Sequence, residues 1–259
     1  PIGCGSPVLT GPTAPSLGSA SCYAIFSSNG FVTNTGVTQV TGDVGTNVTS
    51  TTGFDTLKVI GKVHLIPDAS TATCTSDLLI ANTYLTTLSY DIKLLYPAQF
   101  GRNLVLTPHT YRLVGLTTFT DSLFLNAQGN PSAVFVLQIQ GALATSTYAK
   151  VILINGAQAK NVYWKVDGAV DINNYSDFKG TIIGNGAISL KQGMTLNGRA
   201  LTTSGAVSTA AITAIMPPGC GSGGASSPTI TTQPANQSAC SGGSGSSSVV
   251  ATGTVLTYQ

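Results

Sequence analysis

The chain has 259 residues, of which 42% are hydrophobic and only 8% charged, with 30 glycines and no glutamate, so neither a disordered tail nor a helical protein fits. The formal charge of +2 comes from Lys and Arg scattered singly, so no basic stripe offers itself to nucleic acid or to anionic lipid. No apolar run reaches membrane-spanning length, and the chain opens at Pro1 without a signal peptide, the expectation for a mature secreted chain or a trimmed one.

Residues 1–16 hold four prolines and three glycines without an apolar period and form an irregular leader. From Leu17 strand-like segments follow, CYAIFSS, GFVTNTGVTQVTGDVG and NVTSTTGF, each bounded by Gly or Asn turn signals. Between about 68 and 93 the period changes. Leu78, Ala81, Leu85, Leu88 and Ile92 fall on one helical face, Asp68 or Ser70 is placed to cap its start, and Pro97 bars its continuation. This lone amphipathic helix is expected to lie along the outward Phe124 and Ile152, parallel to the axis of a coil.

From Gly115 to Ala210 one short phrase recurs: GLTTFT from Gly115, GALATS from Gly141, GAVDIN from Gly168, GAISLK from Gly186 and GAVSTA from Gly205. The leading glycines are 26, 27, 18 and 19 residues apart, spacings that suit stacked turns of a solenoid. Within each phrase apolar residues alternate with small or polar ones, the pattern of a strand with one buried face. Each turn reads as three strands, such as VILI from Val151, NVYWKV from Asn161 and AVDIN from Ala169, with Trp164 in the core. After Pro217 and Pro218 a Gly/Ser linker spans 219–228. Residues 229–259 resemble the first two strands of a bacterial immunoglobulin-like module and stop short of its Trp and second Cys.

Several phrases together resemble the DUF3494 family of ice-binding proteins: VTNTGVTQVTGDVG from Val32, LNAQGNPSAVFVLQI from Leu125, VILINGAQAKNVYWKV from Val151, FKGTIIG from Phe178 and LNGRAL from Leu196. The resemblance spans about 17–216, within a β-helix domain expected over 17–218. It implies a mainly β fold, a discontinuous right-handed parallel β-helix with three strands per coil and one long α-helix packed alongside, and adsorption to an ice crystal surface through one flat face. Lys160 and Lys165 depart from the family pattern, at positions expected to face solvent.

Ice presents a repeating lattice, so a matching surface must be flat, rigid, periodic and free of strongly hydrated charge. Stacked coils supply a spacing of about 4.8 Å between rungs and of about 6.6–7 Å between alternate residues along a strand. The outward candidates are Thr118, Thr120, Ala142, Ala144, Ser146, Ala169, Asp171, Asn173, Ser189 and Ser208, with Thr49 and Thr51 from NVTSTT. Asp171 and Lys191 fit this chemistry poorly. A second candidate, Thr35-Gly36-Val37-Thr38, reads as a turn with flanking surface threonines.

Two other classes compete. A β-helix polysaccharide enzyme needs clustered carboxylates, whereas only Asp167, Asp171 and Asp177 come near one another here, His64 and His109 read as surface residues, and no G-x-S-x-G occurs. No catalytic site, metal or cofactor is expected. An extracellular adhesin or glycan-binding module is the other reading, compatible with tethering to ice. Asn47, Asn174 and Asn236 begin N-x-S/T sequons. The five cysteines lack a CxxC pair, which favours disulfides in an oxidising compartment over zinc. Cys22–Cys74 and Cys4–Cys220 are the expected bridges, with Cys240 left over. We expect a monomer, secreted or at the cell surface.

Overall fold

The computed structural model describes residues 8–66, 68–218 and 220, together with the backbone of 229–232 and 250–252. Cys4, Asn236, Cys240 and most of the 219–228 linker lie outside the described residues. Of the expected C-terminal module, only an antiparallel pairing of Thr229–Thr232 with Val250–Thr252 is described.

The chain winds into a parallel coil with three strands per turn, and the third turn is Lys150–Ile154, Val162–Val166 and Val170–Ile172. An eight-stranded sheet forms one face, and a fifteen-stranded sheet folds round the other two. Asp177–Gly184 and Thr195–Thr202 cross from one of those two faces to the next as single eight-residue strands. They turn at the paired Gly180 and Gly198, where a Cβ on Gly198 would stand 1.8 Å from the Gly180 carbonyl oxygen. Inside, Trp164 packs at 4.7 Å from the Phe178 ring and donates its indole N–H to the Lys179 carbonyl. Val32, Val170, Ile188 and Val207 close the core beneath the eight-stranded sheet.

Order along the coil is not order along the chain. Val32–Thr35 lies beside Val207–Ala210, and Gln39–Thr41 lies beside Thr213–Ile215, so the first strands extend the end that the last strands reach. The helix Ala69–Thr87 carries the chain between them and the start of the main coil at Ile92–Leu94. Asp68 caps the helix by accepting from the Ser70 amide at 2.9 Å. The helix ends six residues earlier than its apolar period predicts. Gln138 Nε2 donates to the Leu85 and Leu88 carbonyls, Leu88 turns extended, and Ile92 joins a strand paired with Tyr111–Leu113.

The helix does not lie on Phe124 and Ile152, which are partly exposed and paired with each other on another face. Cys74, Leu78, Ala81 and Leu85 instead pack on Phe26, Val136, Tyr163, Ile183 and Leu201. The strands beneath, such as FVLQIQ and VYWKV, are buried on both sides over nearly their whole length, which is how a strand covered twice must read. Lys165 lies on this covered face, 2% exposed and paired with Asp167, rather than facing solvent; Lys160 is exposed.

His64 is also buried, at 4% exposure. Its Nε2 stands 2.9 Å from an Asp43 carboxylate oxygen and its Nδ1 stands 2.7 Å from one of Asp68, so it ties the helix cap to the terminal turn of the coil. His109 is half-buried and within 3.2 Å of the Thr107 hydroxyl. His64 is therefore not the surface residue that the turn signals around it predict, whereas His109 keeps part of its surface in solvent.

Both expected disulfides are corrected. Cys22 is bonded to Cys220 with a Cα–Cα distance of 4.5 Å, which leaves Cys4 no partner at Cys220. Cys74 is free and sealed beneath the helix, and burial pushes its thiol well above the ordinary range. The bridge joins the start of the coil to its exit, closing a loop of 198 residues. Peptide mapping without reduction is expected to recover Cys22 joined to Cys220, and Cys220→Ser should cost on the order of 3–5 kcal/mol by thermal or urea unfolding.

The Ser70 hydroxyl, with Lys62 and His64, holds the Asp68 carboxyl well below the usual carboxylate range. Ionised Asp68 therefore favours the folded state above the ordinary carboxylate pKa, and that stability is lost as pH falls toward the lowered value. Asp68→Asn should lower Tm at neutral pH and flatten its fall between about pH 5 and pH 2, as scanning calorimetry across that range will show.

Candidate functional site

The eight-stranded sheet runs in the spatial order Thr51–Thr52, Val32–Thr35, Val207–Ala210, Ile188–Leu190, Val170–Ile172, Leu143–Thr145, Thr117–Thr120 and Phe100–Gly101. The five phrase-leading glycines stack at the corner where each strand enters it. A Cβ on Gly141 would stand 2.3 Å from the Gly115 carbonyl oxygen, and Gly168, Gly186 and Gly205 are closed off in the same way by the rung before. Close approach, rather than an unusual backbone, requires glycine there, since among these five only Gly115 has a positive φ. At the opposite edge each strand leaves through a left-handed residue: Asp121, Tyr148, Tyr175, Gly193, Ala211 and Gly36. Both edges repeat from rung to rung, so the sheet between them is regular.

The outward side chains form columns. The central one runs Thr52, Thr33, Ser208, Ser189, Asp171, Ala144 and Thr118, each paired in register with the next. The inward neighbours Val32, Val207, Ile188, Val170, Leu143 and Thr117 are buried throughout. Phase and order are those of the glycine-led phrases. A second column along the entering edge holds Ala142, Ala169, Ala187 and Ala206, all at least partly exposed, and ends at Leu116. Along the leaving edge, partly exposed, are Thr120, Ser146, Asn173 and Ala210, the last paired with Thr35. Asn173 also shapes its turn, accepting the Asn174 amide on Oδ1 and donating its own amide to Thr145.

Thr49 and Thr51 do not join this surface. Thr51 pairs with Val32 and is 7% exposed, facing inward; Thr49 precedes the strand and its hydroxyl lies 3.3 Å from that of Thr46. The phase of NVTSTT is thus one residue from the expected one, a shift that exchanges the two faces of a strand. Thr52 takes the outward place. Thr33 and Thr35, unassigned by the repeat, belong to a sixth copy of the phrase, GFVTNT from Gly30, and Gly30 stacks against Gly205. Its alternation was visible in the sequence, but its place beside the last copy was not. In the T-G-x-T stretch Thr35 is exposed, whereas Thr38 is buried and donates to Asn34 Oδ1.

Asp171 and Lys191, the two discordant residues, meet. Lys191 Nζ stands 2.8 Å from Asp171 Oδ2. Asp167 and Asp177 likewise each pair with a lysine, Lys165 and Lys179, instead of converging on one another. The face is otherwise built of methyls, hydroxyls and one carboxamide, with the exposed Phe31 ring at the entering edge of the sixth copy.

These features define a parallel β-solenoid with one flat, regular, nearly uncharged face and a helix laid over another. Residues 25–214 match the Ice-binding-like family, and the chain belongs to it. A structure titled as an ice binding protein from an Antarctic bacterium of the Flavobacteriaceae is 59% identical with a TM-score of 0.83, covering 85% of this chain and 52% of that one. This chain therefore spans about half the length of that neighbour. The structure of an ice-binding protein from the ascomycete Antarctomyces psychrotrophicus is 29% identical with a TM-score of 0.75, over 80% of this chain and all of that one. An ice-binding protein from Nostoc sp. is 32% identical over 193 residues, 74% of this chain and 70% of the relative.

The inward threonine Thr117 is fully buried and its hydroxyl has no hydrogen-bond partner among the described residues. Thr117→Val removes that unpaired group at nearly constant shape and should raise stability by about 1 kcal/mol in urea unfolding.

Proposed function

We propose that this chain adsorbs to ice crystals through the eight-stranded sheet, producing freezing hysteresis and inhibiting ice recrystallisation. The observation that carries this reading is the central column, seven residues in register on adjacent strands, six of them Thr, Ser or Ala. Rungs about 4.8 Å apart and side chains about 6.6–7 Å apart along each strand match repeats of the ice lattice. Short hydroxyls and methyls let ordered water bridge them without a strongly hydrated group competing for it. Thr118, Thr120, Ala142, Ala144, Ser146, Ala169, Asn173, Ser189 and Ser208 form the surface, extended by Thr33, Thr35 and Thr52. The family and the relatives, which are ice-binding proteins, support the same reading and do not favour the adhesin or enzyme alternatives.

The Cys22–Cys220 bridge supports an oxidising, extracellular location. Among the described residues no helix is long and apolar enough to cross a membrane. Contact with ice needs one face of one molecule, so the protein acts as a monomer.

Ala144 is the decisive position because it lies in the central column, flanked in register by Asp171 and Thr118. Ala144→Tyr should leave the fold and Tm intact and reduce hysteresis to about a tenth of the native value or less, since one protruding ring breaks the fit across several rungs. Asn197→Tyr, on the face that carries neither the helix nor the proposed site, should leave hysteresis unchanged. Microscopy of a growing ice crystal with micromolar protein measures both. The reverse ranking would place adsorption on another face, and no hysteresis from the native protein would defeat the reading.

A further inference from the structure

We infer that Asp171 and Lys191 form a charge-neutralising pair on which adsorption depends: the face tolerates both residues because each cancels the other. This rests on the ice-binding reading of the sheet.

Asp171 occupies the central column between Ala144 and Ser189. Lys191 follows the next strand, just beyond Leu190, and reaches back across the sheet so that its ammonium stands 2.8 Å from Asp171 Oδ2. Among the described residues no group donates to the other carboxylate oxygen, Oδ1, which is itself out of contact with solvent. Lys191 is thus the one cation bonded to this carboxylate among the described residues. The side chains are 45% and 40% exposed, and a pair so placed contributes little to folding. Its consequence lies in the water above it. An isolated charge orders a hydration shell about itself and is costly to bring into a medium that solvates it poorly. Ice is such a medium, because its molecules are held in a lattice and cannot reorient round an ion. Two opposite charges at contact distance leave a short-range dipole, and the hydroxyl and methyl columns on either side can keep lattice-like water.

Two facts separate this role from a merely structural one. Among the described residues the Lys191 ammonium bonds to no side chain other than Asp171, so it is not holding a turn. The flanking positions, Ala144, Ser189 and Ser208, carry no charge that could take over either partner. Removing one member therefore places a full unit of charge in the centre of the surface, and removing both places none.

The test compares the native chain with Asp171→Asn, Lys191→Gln and the double variant carrying both substitutions, reading hysteresis activity and Tm for each. All four are expected to melt within a few degrees of one another. Each single variant should lose about fivefold or more in hysteresis, and the double variant should regain activity to within about twofold of native, a coupling that only a double-mutant cycle isolates. The charge-swapped chain, Asp171→Lys with Lys191→Asp, should also recover. Singles as active as the native protein, or a double variant no better than the worse single, would overturn the pairing while leaving ice binding intact. If the native protein shows no hysteresis, the ice-binding reading fails first, and this inference with it.

Discussion

Everything in this molecule depends on how closely one rung can lie on the next. At the entering edge of the eight-stranded sheet, Gly30, Gly205, Gly186, Gly168, Gly141 and Gly115 are stacked so that a Cβ on any of the first five would meet backbone of the neighbouring glycine's rung within 3 Å. The amide of Gly168 donates to the Gly141 carbonyl at 2.8 Å, and that of Gly115 to Gln140 at 2.9 Å. With no side chain in the way, the strands that follow each glycine begin at the same height and phase. Their inward residues therefore stack into a core, and their outward residues stack into columns. One packing constraint produces both the stability of the coil and the regularity of its surface.

The three faces have been given different work. One is covered by the helix, whose apolar stripe needs an equally apolar partner and finds it in Phe26, Val136, Tyr163, Ile183 and Leu201. One is flat and built of short side chains. The third carries a mixture of Lys179, Asn197 and Ile215 with partly exposed Phe124 and Ile152. Placing the helix on the first leaves the second free, and the buried Arg199 shows how tight that first seam is. Burial pushes its guanidinium down to about 10, while its Nε still donates to the Ser21 carbonyl at 2.9 Å.

The candidate surface was largely legible because strand alternation is a local property. Val170, Asp171 and Ile172 declare which side of the sheet each takes whatever the rest of the chain does. Legibility failed where phase or partner depended on distant segments. NVTSTT offers threonines on both faces, so only pairing of Thr51 with Val32 decides that Thr52 points outward. For the helix, Phe124 and Ile152 look like a landing site in isolation, whereas the doubly buried strands FVLQIQ and VYWKV offer a larger one. Lys165 reads as solvent-facing because a lysine in a strand normally is, yet it is buried beside Asp167.

By itself the sequence determined the repeat, the three strands per turn, the single helix with its Asp68 cap and the alternation that makes one face apolar and the other small and polar. Each of these rests on neighbours within a few residues, where steric and hydrophobic periodicity act directly. Only the tertiary structure decided that Gly30 continues the glycine column beside Gly205, that Cys22 meets Cys220 instead of Cys74, and that Asp171 and Lys191 touch. Those contacts join segments that the chain separates by 175, 198 and 20 residues. They arise from closing the first strands onto the last, which no local pattern encodes because it depends on where the helix delivers the chain.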